Sequence, residues 1–341
     1  MRNRYTFKNI YRWDIDKTYL STELESVRDY IRTAFEKAEK KENVPGTVTL
    51  IKELYRGPGE ASQKNPIIFL SASPEQMRRT LLKKIELDGI VCEGVILKNQ
   101  LTHLRKMKFG MLKKHIGFKV ASLLRSRASL PLSIPEVAFG DDSESDAVIY
   151  SLYSDIIARR IVGSELRALL QSFGVEENEI TEIFKLIANL PIHDPIELIY
   201  INVVSGSDIS YFEKFGERLV PTVNSFQAAV HLLQEGKISK EGLVRVVREI
   251  MGVYKFSNEK LGESLIDLYN RGFLLNEFSK SVLEFLKSES LIPQDVVFAQ
   301  AKFSLAQKVK NWWRETFPVR PHLTKEEPLP GAKYIEELDR R

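Results

Sequence analysis

The chain has 341 residues, 50 of them Lys or Arg and 46 Asp or Glu, for a net charge of +4. At 43% hydrophobic and 28% charged it is not a disordered chain, and so small a net charge does not by itself argue for a nucleic-acid partner. Its single cysteine, Cys92, excludes an internal disulfide, and no window approaches the ~18 uncharged apolar residues of a membrane-spanning helix.

Residues 1–13 alternate basic and aromatic side chains and do not resemble a signal peptide, so a cytoplasmic location is expected. Residues 9–15 form a short aromatic and β-branched run that ends at an Asp-rich turn. Residues 23–40 have helical period, with Leu24, Val27, Tyr30, Ile31 and Phe35 on one stripe. Val44-Pro45-Gly46 makes a turn before a helix over 47–55. The compact apolar run 66–70 suits a strand buried on both faces, and 74–87 reads as a helix with Pro74 in its first turn. A strand is expected over 90–97, with Cys92 as a buried structural thiol, and then a helix over 118–127. A short strand over 136–139 leads into Gly140-Asp141-Asp142, followed by a helix over 147–161. Further strands are expected at 197–204 and 218–223.

Strands alternating with helices predict an α/β fold built on a parallel, doubly wound sheet. Two segments break the alternation. Residues 164–190 read as a helical insertion, and every periodic stretch after 239 is helical: 241–254, 258–270, 275–287 and 293–313. The expected organisation is an α/β domain over 1–238, a helical extension over 239–316 and a loosely held tail over 317–341.

Three clusters carry chemistry. Asp14-Ile15-Asp16-Lys17-Thr18 places two carboxylates one residue apart at the carboxyl end of a strand, where doubly wound sheets bind ligands. Ser71-Ala72-Ser73-Pro74 is a hydroxyl-bearing turn between a strand and a helix, suited to a phosphoryl oxygen, with Ser71 on the ligand and Ser73 nearer the helix cap. Gly140-Asp141-Asp142-Ser143-Glu144-Ser145-Asp146 crowds like charges that a divalent cation would reconcile. Oxygen donors there favour magnesium, whereas the scattered histidines disfavour zinc.

These motifs, in this order and each after a strand, resemble the haloacid dehalogenase superfamily. More narrowly they resemble the actin-patch-type phosphatidate phosphatase catalytic domain, through Val44-Pro45-Gly46, Glu53-Leu54-Tyr55, Ser71-Ala72-Ser73-Pro74 and Asp146-Ala147-Val148-Ile149-Tyr150. The chain departs from that pattern at Lys17, Glu75 and Ala147. The resemblance implies a Rossmann-like domain with no large cap and a phosphatase with Asp14 as nucleophile and Asp16 as general acid and base. It also implies magnesium on Asp14, Asp16 (through its backbone carbonyl) and Asp141, with Asp142 or Asp146, the latter better spaced, in support. Thr18 and Ser71, with Ser73, would hold the phosphate. The family's lysine best fits Lys119, with Lys113 and Lys114 as competitors.

The short intervals between motifs leave little space for a large lid domain, so the expected substrate is large: phosphatidate or another lipid phosphate at an anionic membrane, to which the protein would be peripheral. The basic residues between Lys98 and Arg127, and the segment holding Trp312 and Trp313, are candidate membrane contacts, with a solvated face and core packing as their plainer readings. The alternatives are a phosphatase or phosphotransferase on a soluble, protein or nucleic-acid phosphoester, and a binding protein that has lost activity. No nucleic-acid partner is expected.

Overall fold

The computed structural model describes residues 6–21, 38–98, 115–143, 145–204, 206–298 and Tyr334. The greater part of the helix expected over 23–40, Lys113, Lys114, most of the basic stretch preceding Lys119, the Trp312-Trp313 segment and all of the tail except Tyr334 lie outside those residues.

Six strands, β1 (Ile10–Trp13), β2 (Ile67–Pro74), β3 (Gly94–Lys98), β4 (Glu136–Asp141), β5 (Ile196–Asn202) and β6 (Leu219–Thr222), form one parallel sheet in the order β3-β2-β1-β4-β5-β6. The chain starts in the middle, winds outward through β2 and β3, and returns to wind the other way from β4. The crossovers therefore diverge between β1 and β4, which opens a crevice at the carboxyl ends of those two strands. This is the doubly wound α/β sheet expected from the sequence.

The helices are α1 (Thr47–Arg56), α2 (Arg78–Leu87), α3 (Ile116–Arg127), α4 (Asp146–Ile157), α5 (Gly163–Ser172), α6 (Glu177–Ala188), α7 (Ser225–Gln234), α8 (Lys240–Gly252), α9 (Asn258–Asn270) and α10 (Asn276–Ser288). The chain forms two compact units. One comprises Met1–Glu42, Asn65–Pro221 and Lys325–Arg341; the other comprises Asn43–Lys64 and Thr222–Thr324.

In the first unit, Val120 and Leu124 of α3 bury against Ile149, Leu152 and Ile156 of α4, and the apolar faces of α5 and α6 close over them through Leu170, Phe173 and Ile180. The segment read as an insertion is thus two helices, of which α6 packs on α3. Successive strand residues point to opposite faces, so the opposite face carries a ladder of aromatic rings. Trp13, Phe139 and Tyr200 lie in register on β1, β4 and β5 and stack with centroids 4.0 and 5.0 Å apart. The ladder fixes the three strands at the residues next to their functional ends.

Two local expectations are corrected. β2 continues through Ser73 and Pro74, and the next helix opens as a 3-10 turn (Glu75–Met77) before α2. Proline disfavours helical backbone at the residue before it and suits the extended conformation found at Pro74 (φ −71°, ψ 150°). β3 starts only at Gly94, which leaves Cys92 half-buried ahead of the strand; burial, with Glu93 beside it, pushes the thiol pKa up.

The second unit packs α1 with α7 to α10. Asn224, Ser239 and Ser257 cap α7, α8 and α9 by accepting from backbone N–H groups. Gly46 starts α1 at φ +83°, and a β-carbon there would lie 2.7 Å from the Ile250 side chain. Arg245 of α8 donates two 2.7 Å bonds to the Glu53 carboxylate of α1.

Candidate active site

Asp14 follows β1 directly, and its N–H donates to the Phe139 carbonyl at 2.9 Å. Asp141 is the last residue of β4, so both carboxylates stand at the crevice between the diverging crossovers. Asp146 opens α4, and its closeness depends on Gly140. A β-carbon at position 140 would lie 2.4 Å from Asp146 Oδ2 and 2.5 Å from its Cβ. Without a side chain there, the Asp141 N–H reaches Asp146 Oδ2 at 3.3 Å.

Asp14, Asp141 and Asp146 are all buried, and each offers an oxygen within 4.8 Å of the others. Lys119, fully buried on the first turn of α3, donates to Asp14 Oδ1 at 2.8 Å and to Asp146 Oδ1 at 2.6 Å. Two carboxylates thus pair with the ammonium, while Asp141, whose Oδ1 accepts the Ser143 N–H at 2.6 Å, stands beside them as the third acid of the group. An all-oxygen donor set of this kind fits a hard divalent cation. Tyr150 stays neutral beside it. Burial and then the nearby Asp146 hold its phenol well above the usual range, and its hydroxyl donates to the Phe139 carbonyl at 3.1 Å.

The remaining sequence candidates fall around this centre. The Asp16 carboxylate is not one of the three gathered acids; its Oδ2 accepts from the Ser71 hydroxyl at 3.2 Å and from the Ser73 hydroxyl at 3.0 Å. Ser73 is therefore not a helix cap; Pro74 occupies that position, and the Ser73 N–H donates to Ser71 Oγ at 2.9 Å. Thr18 is buried, and its hydroxyl has no hydrogen-bond partner among the described residues. Asp142 turns from the centre to hold the chain after β5, accepting from Val204 N at 2.8 Å and Ser207 N at 3.4 Å. Of the two acids left open by the sequence, Asp146 is the one gathered with Asp14 and Asp141.

Sequence reasoning missed two features. Asn202, at the carboxyl end of β5, donates through Nδ2 to the Lys17 carbonyl at 3.0 Å; its only signal was an amide closing an otherwise apolar strand. The other is a buried ion cluster below the site. Glu136 Oε1 accepts from Arg12 at 2.9 Å and Arg127 at 3.1 Å, while Oε2 accepts from Arg12 at 3.2 Å and Tyr153 at 3.1 Å.

A family model described as the phosphatidate phosphatase APP1 catalytic domain matches residues 13–187, just over half of the chain. The matched span takes in Asp14, Ser71, Lys119, Asp141 and Asp146 as well as helix α5 and all but the last residue of α6, and it ends before β5. No curated protein and no solved structure matches the chain.

Proposed function

The chain belongs to the family of the phosphatidate phosphatase APP1 catalytic domain, and from that premise we propose that it hydrolyses phosphatidate, with magnesium, by the covalent route of the haloacid dehalogenase superfamily. The observation that carries this reading is the gathering of Asp14, Asp141 and Asp146, with the buried Lys119 donating to the first and the last.

In the proposed reaction Asp14 attacks phosphorus, an aspartyl-phosphate forms, and the bond to the lipid alcohol breaks. The carboxylate nucleophile divides one difficult displacement into two easier ones. Asp16 gives its proton to the departing alkoxide. It then takes a proton from water, whose oxygen attacks phosphorus to release inorganic phosphate and restore Asp14. Lys119 holds Asp14 in place and sets a fixed positive charge beside the oxygens that gain charge in the transition state. Thr18 and Ser71 supply hydroxyls to the non-bridging oxygens, and Ser73, bonded to both Ser71 and Asp16, orders that rim. Magnesium, when held by Asp14, Asp141 and the Asp16 carbonyl with Asp146 in support, would offset the charge of the phosphate.

No helix of the described residues is long and apolar enough to cross a membrane, so the substrate head group would be met at the bilayer surface. The test is phosphate release from vesicles containing phosphatidate, compared with soluble glycerol phosphate. Release from vesicles that needs magnesium and stops with EDTA is expected. Magnesium-dependent release from the soluble ester alone would overturn the lipid assignment, and no release from either would overturn the enzyme reading.

A further inference from the structure

We infer that Asn202 is a positioning residue that locks the Asp16 turn for proton transfer, an inference that rests on the role of Asp16 proposed above. The turn needs a lock. Lys17, between Asp16 and Thr18, sits at φ +56°, a left-handed conformation that costs a residue with a β-carbon free energy. Local bonds close the turn from one side, where the Tyr19 and Leu20 N–H groups both donate to the Ile15 carbonyl, at 3.0 and 2.8 Å.

The Lys17 carbonyl is held from far along the chain by Asn202 Nδ2 at 3.0 Å. The same residue accepts, through its own carbonyl, the Asp142 N–H at 3.1 Å, and its Cα is in register with Asp141. One residue thus stitches the acidic turn after β1 to the acidic turn after β4. Asp142 in turn keeps this end of β5 from fraying by holding Val204 and Ser207. Across the site, Ser71 and Ser73 grip the Asp16 carboxylate. Asp16 is therefore held by its side chain from β2, and the residue that follows it, Lys17, by its backbone carbonyl from β5. A neutral amide suits this place, since it donates without adding a cation to a centre built to take one. Asn202 lies beyond the residues matched by the family model.

The test uses the full chain and two substrates that differ in their need for an acid. Phosphatidate loses a poor alkoxide leaving group, whereas 4-nitrophenyl phosphate loses a stable phenolate. Asp16→Asn sets the benchmark by lowering kcat/KM for the alkyl ester far more than for the aryl ester. Asn202→Ala is expected to lower kcat/KM for the alkyl ester on the order of 10-fold and for the aryl ester by less than about 2-fold. The isosteric Asn202→Asp, which cannot donate, should behave alike, and it decides the question if the alanine variant fails to fold. Without substrate or metal, hydrogen exchange at the Tyr19 and Leu20 amides should quicken in both variants. Equal losses on the two esters, or unchanged activity and exchange, overturn the role of Asn202 while Asp16→Asn still discriminates. If Asp16→Asn does not discriminate, the acid assignment fails and the inference falls with it.

Discussion

Two buried polar clusters are assembled from the same four elements, and they differ in their ratio of carboxylates to cations. β1 and the residue after it give Arg12 to one and Asp14 to the other; β4 gives Glu136 and Asp141; α3 gives Arg127 and Lys119; α4 gives Tyr153 and Asp146. Around Glu136 each carboxylate oxygen receives two donors, so the charge is spent within the protein. Burial works against the charge on Glu136 and on Arg12. Their pairing outweighs it, holding the carboxyl below its ordinary pKa and the guanidinium above. Lys119 pairs with two carboxylates, Asp14 and Asp146, and Asp141 is gathered with both. The first arrangement, two guanidinium groups on one carboxylate, is read as structural, while the second, rich in carboxylates, is the one proposed to hold a cation.

That contrast can be broken most directly at Asp14. Asp14→Asn is expected to cut turnover on the order of 10⁴-fold or more, with the melting temperature little changed. A variant that keeps turning over would remove the distinction altogether. Next in size is Glu136→Gln, which leaves two buried guanidinium groups without their carboxylate and should cost about 3–5 kcal/mol in denaturant unfolding. The activity of the molecules that remain folded should persist. Because the Glu136 carboxyl has a lowered pKa in the folded state, its contribution is fully present above the ordinary carboxylate range. It is lost as pH falls through the lowered value, and the Gln variant should lack that acid-dependent loss. Smallest is Lys119→Ala, expected to lower kcat on the order of 10²–10³-fold. Its stability should recover in part when magnesium is added, a rescue that Glu136→Gln should not show. Rescue of both variants, or of neither, would erase the difference between the clusters.

How far the sequence revealed these clusters depended on whether a residue's task was local. The strands around Phe69, Val137 and Ile199 and the acids at Asp14 and Asp141 stand out because apolar runs end abruptly in polar turns. The helix carrying Lys119 was legible from its period, and the choice of that lysine from family resemblance. By contrast, Arg12 and Glu136 looked like ordinary charges, since nothing in their neighbourhoods discloses partners 124 residues apart. Asn202 was equally silent, for its bond to Lys17 spans 185 residues and crosses β4. Ser73 was misread because a serine before a proline has the local look of a cap, whereas the strand runs on beneath it.

The shared origin of the two clusters bears on how the protein assembles. Arg12 and Asp14 are two positions apart along one extended segment, and the pairing of Arg12 with Ala138 and Trp13 with Phe139 brings them alongside the residues that complete each cluster. A slip of one position would turn both side chains to the wrong face at once. An assembly error that dismantled the reactive centre would thus strand a guanidinium in the interior as well. Misaligned molecules would be lost to unfolding before they could accumulate as stable, silent impostors.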